Sequence, residues 1–414
     1  MYQYLLKQLA QRKEPIDVIT SGLGFMGFGF IDGSFQLPNL RVALVISRRP
    51  SDSKEYLEKH GYKAAVVHTV SEIETNKLKS IISVSDNLEL IKDFKNEILI
   101  EMTGTVAHGT EVALKALESG KHLLTMNPEL QVTVGSQLKK IADKKGLLIS
   151  DVYGDQPGSL SRLIGNAKMM GFKVLVAGNM KRYRDNYATQ QKMLPWAQDK
   201  GLAVRQTVSF TDGTKQAIEM NLVANYFGMD ILKPGMKGVE IDDIKEAIET
   251  FSEENIPPQG IVDYGIGRKL FPGVFALVEH TSPHQKKYMR YLGLGEGPRY
   301  TIFEPYHLCH LEVATSIAEI LLLKQPIINN STDPIMRTVA YAKRNLKKGE
   351  MLDGIGGDLI RGDICRESES KEYLPAGLAH GAKLLKDIPK DWKIKLSDVE
   401  LQKNKATELF FSVI

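Results

Sequence analysis

Gly22, Gly24 and Gly27 stand where a short apolar run, residues 16–20, gives way to a helical pattern. A G-x-G-x-x-G spacing at a strand-to-helix junction leaves few folds open. The first glycine permits a tight turn, the second lets backbone approach a pyrophosphate, and the third lets the helix pack on the strand. The N-terminus of that helix offers unpaired N–H groups to phosphate oxygens. Leu23, Phe25 and Met26 fill the same loop and are expected to line the ligand.

The next 130 residues alternate strand-like and helical patterns. Residues 41–47 are a β-branched apolar run ending in Ser47-Arg48-Arg49-Pro50. A site specific for NAD usually places Asp or Glu at that strand end, on the ribose 2′-OH. A hydroxyl and two guanidinium groups suit a 2′-phosphate instead, which favours NADP(H) over NAD(H). Strand-like segments follow at 64–67 and 97–102, the latter ending in Thr103-Gly104-Thr105. Residues 106–119 have helical spacing, with Gly120 as the stop. A strand at 121–127, a helix at 132–145 and a strand at 147–152 complete the series. Such alternation predicts a doubly wound parallel sheet with ligands at the strand C-terminal ends. Those ends carry residues 22–27, 47–49, Thr103, Gly104 and Asn127 as cofactor contacts, and Glu129 beside the substrate.

Composition narrows the function class. With 414 residues, 43% hydrophobic and 25% charged, the chain has the balance of a globular protein of two or three domains. Lys plus Arg exceed Asp plus Glu by 54 to 50, too small an excess to indicate a nucleic-acid partner. No apolar run approaches the roughly 20 residues that span a bilayer. Residues 1–15 carry Lys7, Arg12, Lys13 and Glu14 and no apolar signal core, so a cytoplasmic protein is expected. Cys309 and Cys365 cannot make a disulfide framework or a cysteine-type zinc site.

The run Ala116-Leu117-Glu118-Ser119-Gly120-Lys121-His122-Leu123-Leu124-Thr125-Met126-Asn127 resembles the homoserine dehydrogenase group, where a similar run closes the nicotinamide pocket. In that group a catalytic lysine normally follows; here Pro128 and Glu129 do. Gly154-Asp155-Gln156-Pro157-Gly158, Phe210-Thr211-Asp212-Gly213-Thr214-Lys215, Val262-Asp263-Tyr264 and Pro305-Tyr306-His307-Leu308 resemble homoserine-dehydrogenase-like proteins with a C-terminal SAF domain. That branch includes deoxyxylulose phosphate reductoisomerase-like enzymes. The resemblance runs from residue 16 to about residue 401. It implies a Rossmann-type domain at 1–153, an α+β catalytic domain at 154–330 and a β-rich SAF (β-clip) domain at 331–414. A helix at 307–323 is expected to return to the first domain, and a homo-oligomer, dimer or tetramer, is expected.

Substrate chemistry then falls to the middle segment. Asp155 sits at a strand end beside a helix N-terminus, as a cap or a pocket residue. Lys181 ends the apolar strand 173–178 and its Asn179-Met180 continuation, where a compact cation could polarise a carbonyl oxygen or hold phosphate. Lys215 opens a helix after an expected strand at 204–210, with Glu219 one turn on. His307 precedes the apolar helix as a candidate general acid, and Asp212 and Tyr306 are candidate substrate contacts. His280 is a weaker candidate, and residues 286–291 around Arg290 read as a solvated helix. Relatives commonly have Arg where this chain has Glu304. Isomerisation would need a divalent metal, Mg or Mn, for which Asp151, Asp155 and Glu129 could supply oxygens.

The tail repeats itself. Residues 343–352 and 385–394 share a pattern of Asn or Asp, aliphatic, Lys, then Gly or Asp, then an aliphatic three residues later, as short strands around turns would. The expected function is an NADP-dependent oxidoreductase for a small polar hydroxy or keto compound, sugar-like or a sugar phosphate. Reductoisomerase chemistry is one form of it. A homoserine-type dehydrogenase and a non-catalytic dinucleotide or sugar sensor are the alternatives.

Overall fold

The computed structural model describes residues 1–252 and 254–412. They gather into two compact units. The first holds residues 1–155, 308–329 and the C-terminal segment from 408; the second holds 156–307 and 330–407.

In the first unit the chain runs α1 (Tyr2–Ala10), β1 (Ile16–Ser21), α2 (Phe25–Ser34), β2 (Leu40–Ile46), α3 (Pro50–Lys59) and β3 (Ala64–Val66). It continues through α4 (Val70–Leu78), β4 (Ile82–Ser85), α5 (Glu89–Asp93), β5 (Ile98–Glu101) and α6 (Val106–Glu118). The segment closes with β6 (His122–Thr125), α7 (Pro128–Lys144) and β7 (Ile149–Asp151). All seven strands are parallel, in the order β3-β4-β2-β1-β5-β6-β7. Ile19, Leu44, Leu99 and Leu123 are buried within it, as strands covered on both faces require. Helix α6 buries Val112, Ala113, Ala116 and Leu117 at helical spacing, and Gly120 (φ +75°) turns the chain out of it.

Helix α7 starts at Pro128, ahead of the expected 132. Asn127 caps it, its Oδ1 accepting the Leu130 N–H at 3.1 Å, and proline at the first position gives up no hydrogen bond. The expected helix at 307–323 is shorter: α-helix begins only at Val313 and gives way to a π-helical turn, Glu319–Leu323. Residues 308–312 are turns, with the Leu308 carbonyl accepting from both Leu311 and Glu312.

The second unit opens with α8 (Gln156–Met169), β8 (Lys173–Lys181), α9 (Gln190–Lys200), α10 (Val204–Thr211) and α11 (Thr214–Phe227). After β9 (Val239–Glu240) and α12 (Ala247–Thr250) come β10 (Ile261–Ile266), β11 (Val274–Glu279), α13 (Pro283–Tyr291) and β12 (Arg299–Glu304). These strands form a mixed sheet in the order β12-β11-β8-β10-β9, with α8 and α11 packed on it. The strand expected at 204–210 is helix α10. Its β-branched content favours a strand, but the segment is helical: Thr207 and Thr211 turn their hydroxyls back onto the carbonyls four residues earlier, and Thr207, Val208, Ser209 and Thr211 are buried.

The tail adds β13 (Met336–Ala342) antiparallel to β14 (Ile360–Arg366), and β15 (Lys383–Leu384) antiparallel to β16 (Val399–Glu400). The two repeat segments pair with each other at equivalent positions. Leu346 and Ile388 exchange backbone hydrogen bonds at 2.8 and 3.0 Å. The Asn345 side chain accepts the Lys390 N–H, and Asp387 accepts that of Lys348, both at 2.9 Å. Gly349 and Asp391, also equivalent, both adopt positive φ. Among the described residues no helix is long and apolar enough to cross a membrane.

Candidate active site

The first unit builds a cradle at the C-terminal end of β1. Gly22 has φ +99°, and a Cβ there would lie 3.0 Å from the Met102 carbonyl oxygen. A Cβ on Gly27 would penetrate the Gly22 carbonyl, so helix α2 can pack on the turn only without one. Gly24 faces open space and is the N-cap of α2, with no side chain bonded to the helix N-terminus. Two glycines are needed for close packing and the third clears a path to unmet N–H groups, an arrangement that fits a pyrophosphate. The turn sits where the sheet reverses its winding, since β1 leads to β2 on one side and β5 joins on the other.

Around this turn the sequence-derived candidates come together. The Ser47 backbone N–H continues the β4 pairing, and its hydroxyl lies 2.7 Å from that of Ser53. Arg49 is 83% exposed and pairs with Asp52 at 3.4 Å. Arg48 is exposed and has no ion pair among the described residues. Its charge joins burial in holding His108 below the ordinary histidine range. Thr103, at the β5 end, gives its N–H (2.8 Å) and its hydroxyl to Glu101 Oε1. Asn127 is fully buried, and besides capping α7 it donates to Glu101 Oε2 at 2.7 Å. Its amide is thereby tied on both sides. Glu129 is buried in the first turn of α7.

Glu101 was not singled out in the sequence. It is fully buried, and burial pushes its carboxyl up to about 7 against three hydrogen bonds that oppose the shift. A charged residue closing the apolar run Ile98-Leu99-Ile100, two places before Thr103, was the available signal. Asp155 is buried, and Asp151 is enclosed with its Oδ1 3.4 Å from the Thr125 hydroxyl. The carboxylates of Asp151, Asp155 and Glu129 do not gather into a three-ligand cluster.

The second unit holds a buried polar network over β8. Lys181 ends that strand, and its Nζ donates to Gln156 Oε1 at 2.6 Å and lies 3.5 Å from Glu219 Oε2. Asn179, two residues earlier on the same face, donates to Gln156 Oε1 at 3.2 Å and to Glu219 Oε2 at 2.8 Å. Gln216 donates to Asn179 Oδ1 at 3.1 Å, and the Gln156 amide donates to the Gly273 carbonyl at 3.0 Å. The sequence places Gln156 in the 154–158 motif and Asn179 at the end of a strand but gives neither them nor Gln216 a site role, since an uncharged amide acquires one only from its neighbours. The Lys181 side chain is 17% exposed against 3% for Glu219, so Lys181 is the more accessible of the two.

Lys215 is partly exposed on α11, one turn before Glu219. Asp212 is enclosed, paired with Lys343 at 2.7 Å and accepting the Thr214 N–H at 2.9 Å. Burial pushes its carboxyl up while Lys343 pulls it back. Asp263 accepts three backbone N–H groups, from Lys237, Gly238 and Tyr264, and so fixes the loop before β9. Tyr306 is 53% exposed and His307 half-buried, in the segment after β12. Glu304 takes Arg162 in a two-point pair at 2.7 and 3.2 Å. His280 stacks edge-on against Phe172, and α13, with Arg290, buries none of its residues.

Residues 27–150 match the family described as homoserine dehydrogenase, NAD binding domain, and residues 154–313 match oxidoreductase DRL, catalytic domain. The homoserine dehydrogenase of Neisseria gonorrhoeae is 23% identical over 140 residues, covering 33% of this chain and 28% of that protein. That of Lactococcus lactis subsp. lactis is 22% identical over 174 residues, covering 38% of this chain and 41% of that protein. The chain thus spans less than half the length of these curated relatives. The solved homoserine dehydrogenase of Thiobacillus denitrificans aligns over 92% of this chain and 98% of its own, at 14% identity and a TM-score of 0.48.

Proposed function

We propose that this chain, a homoserine dehydrogenase-like oxidoreductase, binds NADP(H) and transfers hydride to or from a small polar hydroxy or keto compound of sugar-like character. The glycine cradle at the winding reversal carries the proposal, because its packing excludes any Cβ at Gly22 and Gly27 while Gly24 leaves the helix N-terminus open. The cofactor, when bound, supplies the hydride acceptor or donor.

The chain's own groups do the rest. Backbone N–H groups of residues 24–27 hold the pyrophosphate, and the Ser47 hydroxyl and Arg48 take the 2′-phosphate. Arg48 suits this because it is exposed and pairs with no carboxylate among the described residues. Lys181 holds or delivers the proton at the substrate oxygen, fixed by Gln156 Oε1 and the Glu219 carboxylate. Lys215 and His307 are the further candidates for that proton. Pro128 stands where homoserine dehydrogenases carry a lysine, which favours a proton donor from the catalytic segment. We assign cofactor binding to 1–153, substrate chemistry to 154–330 and a supporting SAF-like role to 331–414, whose repeat arms pair reciprocally.

NADPH titration of the wild-type protein tests the assignment, with Arg48→Asp as the decisive variant. Loss of one charge-assisted phosphate contact should weaken NADPH binding about tenfold or more and leave NADH binding nearly unchanged. An unaltered preference between the two would sink the NADP assignment.

A further inference from the structure

Glu101 and Ser21 are register partners at the ends of β5 and β1, the two strands that flank the winding reversal. Neighbours in register point to the same face of a parallel sheet. The Glu101 carboxylate is fully buried there and is met by neutral donors only: the Thr103 N–H and hydroxyl, and the Asn127 amide. Beside it the Ser21 hydroxyl is buried with no hydrogen-bond partner, an unmet polar atom at the floor of the cradle. Helix α6 brings Gly109, where a Cβ would come 3.1 Å from the carboxylate. From β6 the register partner is Thr125, an uncharged hydroxyl. Helix α7 brings Glu129, a like charge that raises the Glu101 carboxyl further. His108, on α6, is held toward its neutral form. Among the described residues no cation pairs with Glu101.

A buried carboxyl with no cation is costly to ionise and gains from any positive charge brought near it. The oxidised nicotinamide ring carries such a charge and the reduced ring does not. We propose that Glu101 sets the redox-state preference of the dinucleotide site, its carboxylate favouring the oxidised cofactor over the reduced one. This rests on the dinucleotide reading given above. Binding of the oxidised form draws the proton from the Glu101 carboxyl into solvent; binding of the reduced form leaves it in place. By linkage, affinity for the oxidised form relative to the reduced form rises with pH as the carboxyl ionises, through about pH 7. Each unit by which the cation lowers the carboxyl's pKa is a tenfold change in that ratio.

The test measures dissociation constants of NADP+ and NADPH for the full chain, by fluorescence and calorimetry, from pH 5.5 to 8.5. Titration of the 2′-phosphate is common to both ligands and cancels in the ratio. The expected result is a ratio moving about tenfold toward NADP+ as pH rises. Calorimetry in buffers of different ionisation enthalpy should show more proton release with NADP+ than with NADPH, the 2′-phosphate contribution being common to both and the excess belonging to Glu101. Glu101→Gln, which keeps the hydrogen-bond acceptor at Oε1, should flatten the ratio. A wild-type ratio independent of pH, or an unchanged slope in Glu101→Gln, overturns the proposal while leaving the dinucleotide site intact. Should Glu101→Gln fail to fold, proton release by the wild-type protein decides alone. Binding of neither ligand overturns the dinucleotide reading and this proposal with it.

Discussion

Lys181 and Asp212, two charged candidates from the sequence, are placed very differently. Asp212 is sealed against Lys343, with 0% of its side chain and 2% of the lysine's exposed, and acts as an internal tie. Lys181 is partly exposed, in a network whose other members are buried amides and a carboxylate. Removing the ammonium while keeping the stem's bulk, as in Lys181→Met, should lower turnover by about 10²–10⁴-fold, the usual worth of positioned proton transfer. NADPH affinity should stay within about threefold of wild type, since no cradle residue is touched. Wild-type turnover in that variant would move the proton donor to Lys215 or His307. Strand ends rich in Lys or Thr announce themselves in the sequence. Glu101 does not, because one acid in an apolar run gains meaning only when neighbouring strands enclose it.

The glycines of the cradle and of the tail repeat make a matched comparison between elements. Gly349 has φ +89° and open space where a Cβ would go, so Gly349→Ala meets backbone strain alone. About 1 kcal/mol of stability should be lost, with NADPH binding unchanged. Gly27 lies in ordinary helix, but a Cβ there would collide with the Gly22 carbonyl. Gly27→Ala should displace the turn and weaken NADPH binding at least tenfold, as titration beside the Gly349 variant would show. Equal effects of the two on NADPH binding would remove the cradle from the site.

Helix and strand limits were legible where capping and periodicity agreed, as in α6 and its Gly120 stop. The segment 204–210 is helical against its β-branched composition, because its buried residues (207, 208, 209 and 211) follow no single period that composition could reveal. The helix expected from 307 shrank to Val313–Ala318 because apolar composition says where a segment is buried, not how its backbone closes its hydrogen bonds.

Over the whole molecule, alternation predicts a parallel sheet and six of its strands; the seventh, β4 (Ile82–Ser85), is four residues long with serine at two of them and carries no such signal, and the mixed sheet and paired tail arms follow only loosely. If the dinucleotide binds as proposed, NADPH should slow amide exchange in residues 21–29, 47–49 and 101–105. Residues 343–352 and 385–394 should exchange as before, a contrast that exchange mass spectrometry resolves. Protection confined to the tail would contradict the assignment.

By itself the sequence determined the parallel sheet, the glycine turn at the end of β1 and the basic end of β2. These are local matters, set by residue type and spacing within some thirty positions. Only the tertiary structure decided that no cation among the described residues stands beside Glu101, that Asn127 is tied at both ends, and that Gln156, Asn179, Lys181 and Glu219 share one network. The reason is electrostatic. What a carboxylate or an ammonium can do depends on the groups and the water around it, and those come from strands and helices far apart in the chain.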